Sequence, residues 1–292
     1  MTDHTSPAKS GLTDAELAVH PTVFAADALE GRVVVVSGGA GGIGRAIAWL
    51  MARVGAHVVV AGRDRNKLDA LVSEMSARGL TASAHTTDIR EPDAVGALFD
   101  TVWADHGRLD ILVNSAGGQF PQAAIDFSVK GWNTVINTNL NGTWYMMQAA
   151  AQRWRDRKHP GSIVNIVVVT THGLYGIAHS IAARSGVIGL SRAVAVEWAP
   201  LNIRVNCVAP GAIETQGWNV YTPEARGLSA LEPDDARGLA LGHRRSQRLP
   251  RRPFRQIRHR RNAHRRRRRP ALGRDLDHRQ AGLFRRHQRV TP

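Results

Sequence analysis

Ser37-Gly38-Gly39-Ala40-Gly41-Gly42-Ile43-Gly44 puts five glycines between the apolar run Val33–Val36 and a helix-like stretch starting near Ile43. A strand, a tight turn and a helix N-terminus together make an anion cradle. Backbone N–H groups and the helix dipole face the anion, and missing Cβ atoms let a pyrophosphate come close. Two spacings coexist: Gly39-x-Gly41-x-x-Gly44 and the wider Gly38-x-x-x-Gly42-x-Gly44. A flexible loop could carry the same glycines, but the flanking strand and helix favour a bound dinucleotide.

Other residues of suitable chemistry follow the ends of later strand-like runs. Asp88-Ile89 closes the third run, where a carboxylate acceptor and an apolar wall could meet an adenine ring, or where Asp88 could simply cap a helix. Arg63 lies just past the second run, where the ribose 2′ position should fall. A guanidinium there matches a 2′-phosphate, so NADP(H) is favoured over NAD(H), although an ordinary solvated Arg is the alternative. Arg45 is a second candidate for a phosphate. Asn114 and Gly117 would hold the turn after the fourth run near the cofactor, or serve a purely structural turn. No metal site is read from the sequence.

The elements that must position these residues are legible. Strands are expected over Arg32–Ser37, His57–Ala61, Ala82–Thr86, Ile111–Asn114, Ser162–Val169 and Ile203–Val208. Helices are expected near Ile43–Val54, Arg65–Arg78, Asp93–His106, Lys130–Arg157 and Ile181–Ala199. Short Val/Ile-rich strands with little alternation are those of a sheet covered on both faces. Strict β–α alternation gives an α/β fold with a doubly wound parallel sheet, whose ligands sit beyond the carboxyl ends of the strands.

Composition narrows the class. Of 292 residues, 39 are Lys or Arg and 24 are Asp or Glu, a net charge of +15. Arg226–Pro292 alone holds 21 Arg, no Lys and 5 acidic residues, so the preceding body is close to neutral. The lone Cys207 excludes an internal disulfide framework and suits a reducing compartment. Residues 1–30 mix Asp, His, Pro and Lys without an apolar core and are read as an extension rather than a signal peptide. No run approaches the roughly 18 apolar residues of a membrane span, so a cytoplasmic location and no membrane partner are expected.

The motifs resemble the short-chain dehydrogenase/reductase family from about Gly31 to Tyr221. The glycine turn is similar to the family's Thr-Gly-x-x-x-Gly-x-Gly, and Asn114-Ser115-Ala116-Gly117 to its Asn-Asn-Ala-Gly. Asn139-Leu140 is similar to its mid-helix Asn, and Pro210-Gly211 to the Pro-Gly beside the nicotinamide. The resemblance implies a Rossmann domain over residues 31–225, a small-molecule substrate and an NAD(P)(H) site. That site would draw on Ser37, Gly38, Gly42, Ile43, Gly44, Arg63, Asp88, Ile89, Asn114, Ala116, Gly117, Arg184, Pro210 and Gly211.

The family's catalytic set, Ser and Tyr-x-x-x-Lys, is altered here: its positions fall on Val168, Ser180 and Arg184. An alcohol is far less acidic than a phenol, whose pKa is about 10, and Arg stays charged, so neither relays a proton to an alkoxide. Reduction of a conjugated C=C leaves an enolate-like oxygen that needs hydrogen-bond donors more than a strong acid. His179–Val187 resembles the peroxisomal trans-2-enoyl-CoA reductases, and the 2,4-dienoyl-CoA reductase branch is similar. Ser180 and Arg184 are the expected donors, with Asn139 holding a water that protonates Cα. Thr170, Thr171, His172 and Tyr175 are substitute donors, though packing or turn roles suit His172 and Tyr175 better. Relatives of the citronellol/citronellal dehydrogenase type are also similar, which keeps alcohol oxidation open, as does binding without turnover.

Arg226–Pro292 departs from the family. His243–Arg289 has almost no apolar periodicity and is expected to be disordered. An Arg-rich nucleic-acid arm is disfavoured, because Phe254 and Phe284 are its only aromatics and it has no Lys. A one-base shift explains it better. With GC-rich codons, His264–Pro270 can then encode Thr-Val-Asp-Gly-Gly-Gly in the shifted frame, and Pro233–Arg244 can encode Asn-Pro-Met-Met-Arg-Gly-Ala-Ser-Pro-Trp-Asp-Ile, similar to the family's last strand and substrate-covering segment. The homo-oligomer that the family implies conflicts with this C-terminus as translated. Resequencing the gene is expected to show these peptides in the +1 frame from near Arg226; their absence there would refute the shift.

Overall fold

The computed structural model describes residues 11–170, 174, 176–211, 213 and 215. Expectations placed on Thr171, His172, Tyr175 and residues 226–292 lie outside them. Six strands, β1 (Val33–Ser37), β2 (His57–Gly62), β3 (Ala82–Thr86), β4 (Ile111–Asn114), β5 (Gly161–Ile166) and β6 (Ile203–Val208), form one parallel sheet in the order β3-β2-β1-β4-β5-β6. Each strand ladders with its neighbour in register, as in Val35↔Val59 and Val35↔Leu112. Chain order reverses at β1, which has β2 on one side and β4 on the other. The cleft therefore opens beyond Ser37 and Asn114.

Both sheet faces are covered, which is why β1 reads as unbroken valine. Val33 and Val35 pack with α4 (Pro92–His106), α6 (Thr143–Arg157) and the end of α7 (Ala178–Glu197). Val34 and Val36 face α2 (Gly42–Arg53) and α3 (Arg65–Ser76). Period-2 alternation splits the strand between two cores.

Several features differ from expectation. Strand β5 stops at Ile166 rather than Val169; Val167 adds one last bond to Val208 O (2.9 Å), and the chain then leaves the sheet. The expected helix Lys130–Arg157 is interrupted. It comprises α5 (Val129–Ile136), a wide π-helical turn over Asn137–Gly142, and α6. Gly142 backs directly onto Ile89, where a Cβ would come within 2.8 Å of that side chain. Helix α7 begins at Ala178, three residues early, bringing Ser180 into its first turn. Finally, the N-terminal extension is not featureless. Thr13 and Glu16 form a reciprocal capping box that starts α1 (Asp14–Val19), and Leu17 is buried against the α2–α3 side of the sheet.

The opposite end of the sheet is locked electrostatically. Asp110, nearly buried, accepts from Val33 N (2.9 Å), Arg32 Nη1 (2.9 Å) and both Arg108 Nε (2.8 Å) and Nη2 (2.6 Å). Burial alone would raise its pKa, but the donors from Arg108, Val33 and Arg32 outweigh that and hold it below the ordinary carboxylate value. A depressed carboxylate contributes stability that is present above its unfolded pKa of about 3.9 and lost as pH falls through the folded value. Asp110→Asn is expected to cost about 2 kcal/mol at neutral pH, with its Arg partners partly exposed. It should also flatten the acid limb of stability measured by urea unfolding. An unchanged acid limb would contradict this role.

Candidate active site

The glycine turn divides into positions that pack and positions that stay open. Ser37 is buried, and its Oγ accepts from Ala116 N (3.3 Å). Gly38, at φ +69°, lies so close that a Cβ would sit 2.7 Å from Ala116 Cα. Gly44 backs onto the Gly38 carbonyl, with no room for a Cβ. These contacts bind the turn after β1 to the turn after β4. Gly42, at φ +47°, takes a left-handed conformation, whereas Gly41 caps α2 at an ordinary φ of −144° with nothing within 4 Å of its Cβ position. Among the described residues no side chain caps α2, which suits its first N–H groups to an anion. A cradle that a Cβ would fill is what a pyrophosphate requires.

At the adenosine end, Asp88 does not cap a helix. Glu91 occupies the N-cap of α4, while Asp88 Oδ1 accepts from Arg90 N (3.0 Å) and its carboxylate is clamped by the Arg90 guanidinium. Those side-chain bonds to Arg90 lower its pKa to about 2, with further help from Arg63. Asp88 is thus a fixed, ionised acceptor, and Arg90 escaped notice in the sequence because its partner is set by the turn. Arg63 is exposed just past β2. Ile89 offers little side chain to an adenine: it is buried against Gly142. Arg45, a second candidate for a phosphate, is held elsewhere: Nη2 donates to Leu12 O (2.6 Å) and Nε lies 3.4 Å from Asp14 Oδ1.

Further along the cleft, Asn114 is buried and donates Nδ2 to Asn165 Oδ1 (2.8 Å), which passes the chain to Ser191 Oγ (2.9 Å). Among the described residues Asn114 Oδ1 has no hydrogen-bond partner. This orphaned acceptor at a strand end again fits a polar ligand. Gly211, after β6, borders open space, with Pro210 beside it.

The three expected catalytic residues are brought together. Asn139, in the π-helical turn, accepts from Gly118 N (2.9 Å) and donates to Gly118 O (2.9 Å). Its second Nδ2 proton points to Ser180 Oγ (3.4 Å). Ser180 and Arg184 stand one turn apart on α7, and Arg184 Nη1 donates to Ser180 Oγ (2.8 Å). Gln119 Oε1 lies 3.4 Å from the same nitrogen, and Gly117 leaves room for Nη2, which a Cβ would approach to 2.7 Å. The Asn139 carboxamide is therefore committed to Gly118 and Ser180, so it positions donors rather than carrying a water on its amide protons. His179, buried, stacks on Phe127 (4.4 Å) and meets Phe120 edge-on (4.5 Å), fixing the start of α7. Desolvation lowers its pKa despite the carbonyls of Ile177 and Phe120, so it stays neutral near pH 7. Val168 sits on the segment leaving β5.

Comparison with known proteins decides the class. A family model described as short chain dehydrogenase matches residues 32–225. The chain belongs to the short-chain dehydrogenase family. A probable 2,4-dienoyl-CoA reductase of Bacillus subtilis (strain 168) is 37% identical over 191 residues, covering 65% of this chain and 75% of that one. The solved citronellol catabolism dehydrogenase AtuB of Pseudomonas aeruginosa PAO1 is 39% identical (TM-score 0.62), covering 65% and 77%. A metagenomic short-chain oxidoreductase solved in complex with NADP is 36% identical (TM-score 0.59), covering 63% and 84%. The chain is thus an NAD(P)-dependent oxidoreductase of a family that acts on small molecules. Among the described residues no helix is long and apolar enough to cross a membrane.

Gly41→Ala is expected to leave urea stability within about 0.5 kcal/mol of the parent while weakening dinucleotide binding by roughly tenfold or more. Gly44→Ala should instead destabilise by roughly 2–3 kcal/mol, since backbone must move. Equal effects on binding and on folding from both variants would refute the division of the turn.

Proposed function

We propose that this enzyme uses NADPH to reduce a conjugated C=C, as in an enoyl thioester. The observation that carries it is the bonding state of Ser180. Its Oγ accepts from Arg184 and from Asn139, which fills both lone pairs, so its own proton is the group left to donate. Among the described residues no acceptor receives that proton. Buried and next to a guanidinium, it is a strong hydrogen-bond donor and a poor acid.

That combination suits an oxygen that gains negative charge without needing full protonation. Bound, the dinucleotide supplies the hydride, which adds to Cβ of the substrate. Ser180 and Arg184 then stabilise the enolate-like oxygen, and solvent returns a proton to Cα. Arg184, threaded past Gly117, would also bind the ribose hydroxyls of the cofactor. Among the described residues the site holds no phenol, since Tyr145 packs against the core. The 2,4-dienoyl-CoA reductase relative supports this chemistry. The similarity to AtuB supports a second reading, oxidoreduction of an acyclic terpenoid alcohol or aldehyde.

Preference for NADPH rests on the exposed Arg63 beyond β2, and the relative solved with NADP agrees with it. Arg184 and Asp88, with the turns at Ser37–Gly44, Asn114–Gly117 and Pro210–Gly211, complete the proposed cofactor site.

Ser180→Ala should lower kcat for enoyl-thioester reduction about 10²–10³-fold, with NADPH affinity nearly unchanged. Arg63→Ala should weaken NADPH about tenfold and leave NADH unaffected. Both are read by loss of reduced-nicotinamide absorbance and by fluorescence titration. Turnover of alcohols but not of enoyl thioesters would overturn the C=C assignment in favour of the terpenoid one.

A further inference from the structure

Arg45 is the cation nearest in sequence to the open cradle, yet the N-terminal segment holds it. Its amide donates to Gly41 O (3.1 Å), so Arg45 stands one helical turn beyond Gly41 on the same side of α2. Helical side chains lean toward the N-terminus, which here is the direction of the cradle. Instead the guanidinium turns to Leu12 O (2.6 Å) and to Asp14 (3.4 Å). The segment has independent anchors: Trp49 Nε1 donates to Asp14 Oδ1 (2.7 Å), Arg53 Nη1 to Leu17 O (3.0 Å), and the Leu17 side chain is buried. Asp14 thus serves two partners, one of which, the Trp49 indole, has no use for its charge.

We infer that Asp14 and the phosphates of the dinucleotide compete for Arg45, so that docking of the segment at Leu12–Val19 and dinucleotide binding oppose each other. The inference rests on the dinucleotide site proposed above. With Asp14 in place, Arg45 is withheld and affinity is moderated. When Arg45 turns to the cradle, the segment loses two of its bonds to α2 and keeps those of Trp49, Arg53 and Leu17. Linkage makes the effect reciprocal: whatever Asp14 subtracts from dinucleotide affinity, the dinucleotide subtracts from the segment's docking.

A double-mutant cycle in the full chain separates this from simple repulsion between a carboxylate and a phosphate. Asp14→Asn keeps an acceptor for Trp49 and removes the charge that Arg45 sees. It is expected to tighten NADPH by about three- to fivefold, and to do nothing in an Arg45→Gln background. Saturating NADPH should also speed hydrogen exchange across residues 12–19 in the parent chain and leave it unchanged in Arg45→Gln. Equal tightening in both backgrounds, or none in either, would overturn the coupling while leaving the dinucleotide site intact. A parent chain that binds neither NADPH nor NADH would refute the site itself, and the coupling with it.

Discussion

The Asn139 carboxamide is the interaction on which the chemical end of the cleft depends. It reaches from the helical layer to both polar groups of the Gly118 backbone, and its remaining proton meets Ser180. Three separate pieces of chain, the α5–α6 junction, the loop after β4 and the first turn of α7, are thereby held in one register. The π-helical turn makes the reach geometrically natural, since one extra residue per turn rotates side chains out of the regular helical phase. Thr143 Oγ1 donates to Asn139 O (2.9 Å), occupying a carbonyl next to this distortion. Without that register, Arg184 and Ser180 would still lie one turn apart, but neither would be fixed relative to the dinucleotide turn.

Polarity is distributed unevenly along the sheet. Beyond the carboxyl ends of the strands lie an open glycine position and, among the described residues, an Asn114 oxygen without a partner and a Ser180 hydroxyl whose proton no acceptor receives, all of which a ligand could complete. At the amino ends Asp110 is fully satisfied, and Trp154 Nε1 donates to Leu109 O (2.7 Å). A surface depression there, about 600 Å³ and lined by Asp100, Trp103, Arg157 and His159, is remote from the chemistry. Apart from the Trp103 indole N–H, which has no partner among the described residues, the amino end is closed, whereas the ligand end is left incomplete. Such a division lets the cleft carry unsatisfied groups while stability comes from elsewhere.

Most of the frame was legible in the residues because it is local. Val33–Val36 announces a strand buried on both faces, and Ser37–Gly44 can scarcely be anything but a tight turn opening a helix. The expected strands match closely, apart from the end of β5. What escaped notice depends on partners distant in sequence. Leu12–Val19 looks featureless until Leu17 finds a hydrophobic face and Asp14 finds Trp49. The interruption at Asn137–Gly142 has no signature of its own, since Gly142 is needed only because Ile89 arrives there. Arg90, Gln119, Asn165 and Ser191 are unremarkable polar residues until the fold sets them beside Asp88, Arg184 and Asn114. Ser180 and Arg184 are legible only through the family resemblance, and the structure adds their hydrogen-bond partners.

The claim that a non-ionising donor set does the work of a phenol is tested most directly by the pH dependence of kcat. Neither Ser180 nor Arg184 titrates in the neutral range, so kcat for enoyl-thioester reduction should be flat between about pH 6 and 9. A titrating limb within that range, still present in Ser180→Ala, would show that another acid supplies the proton and would contradict the assignment.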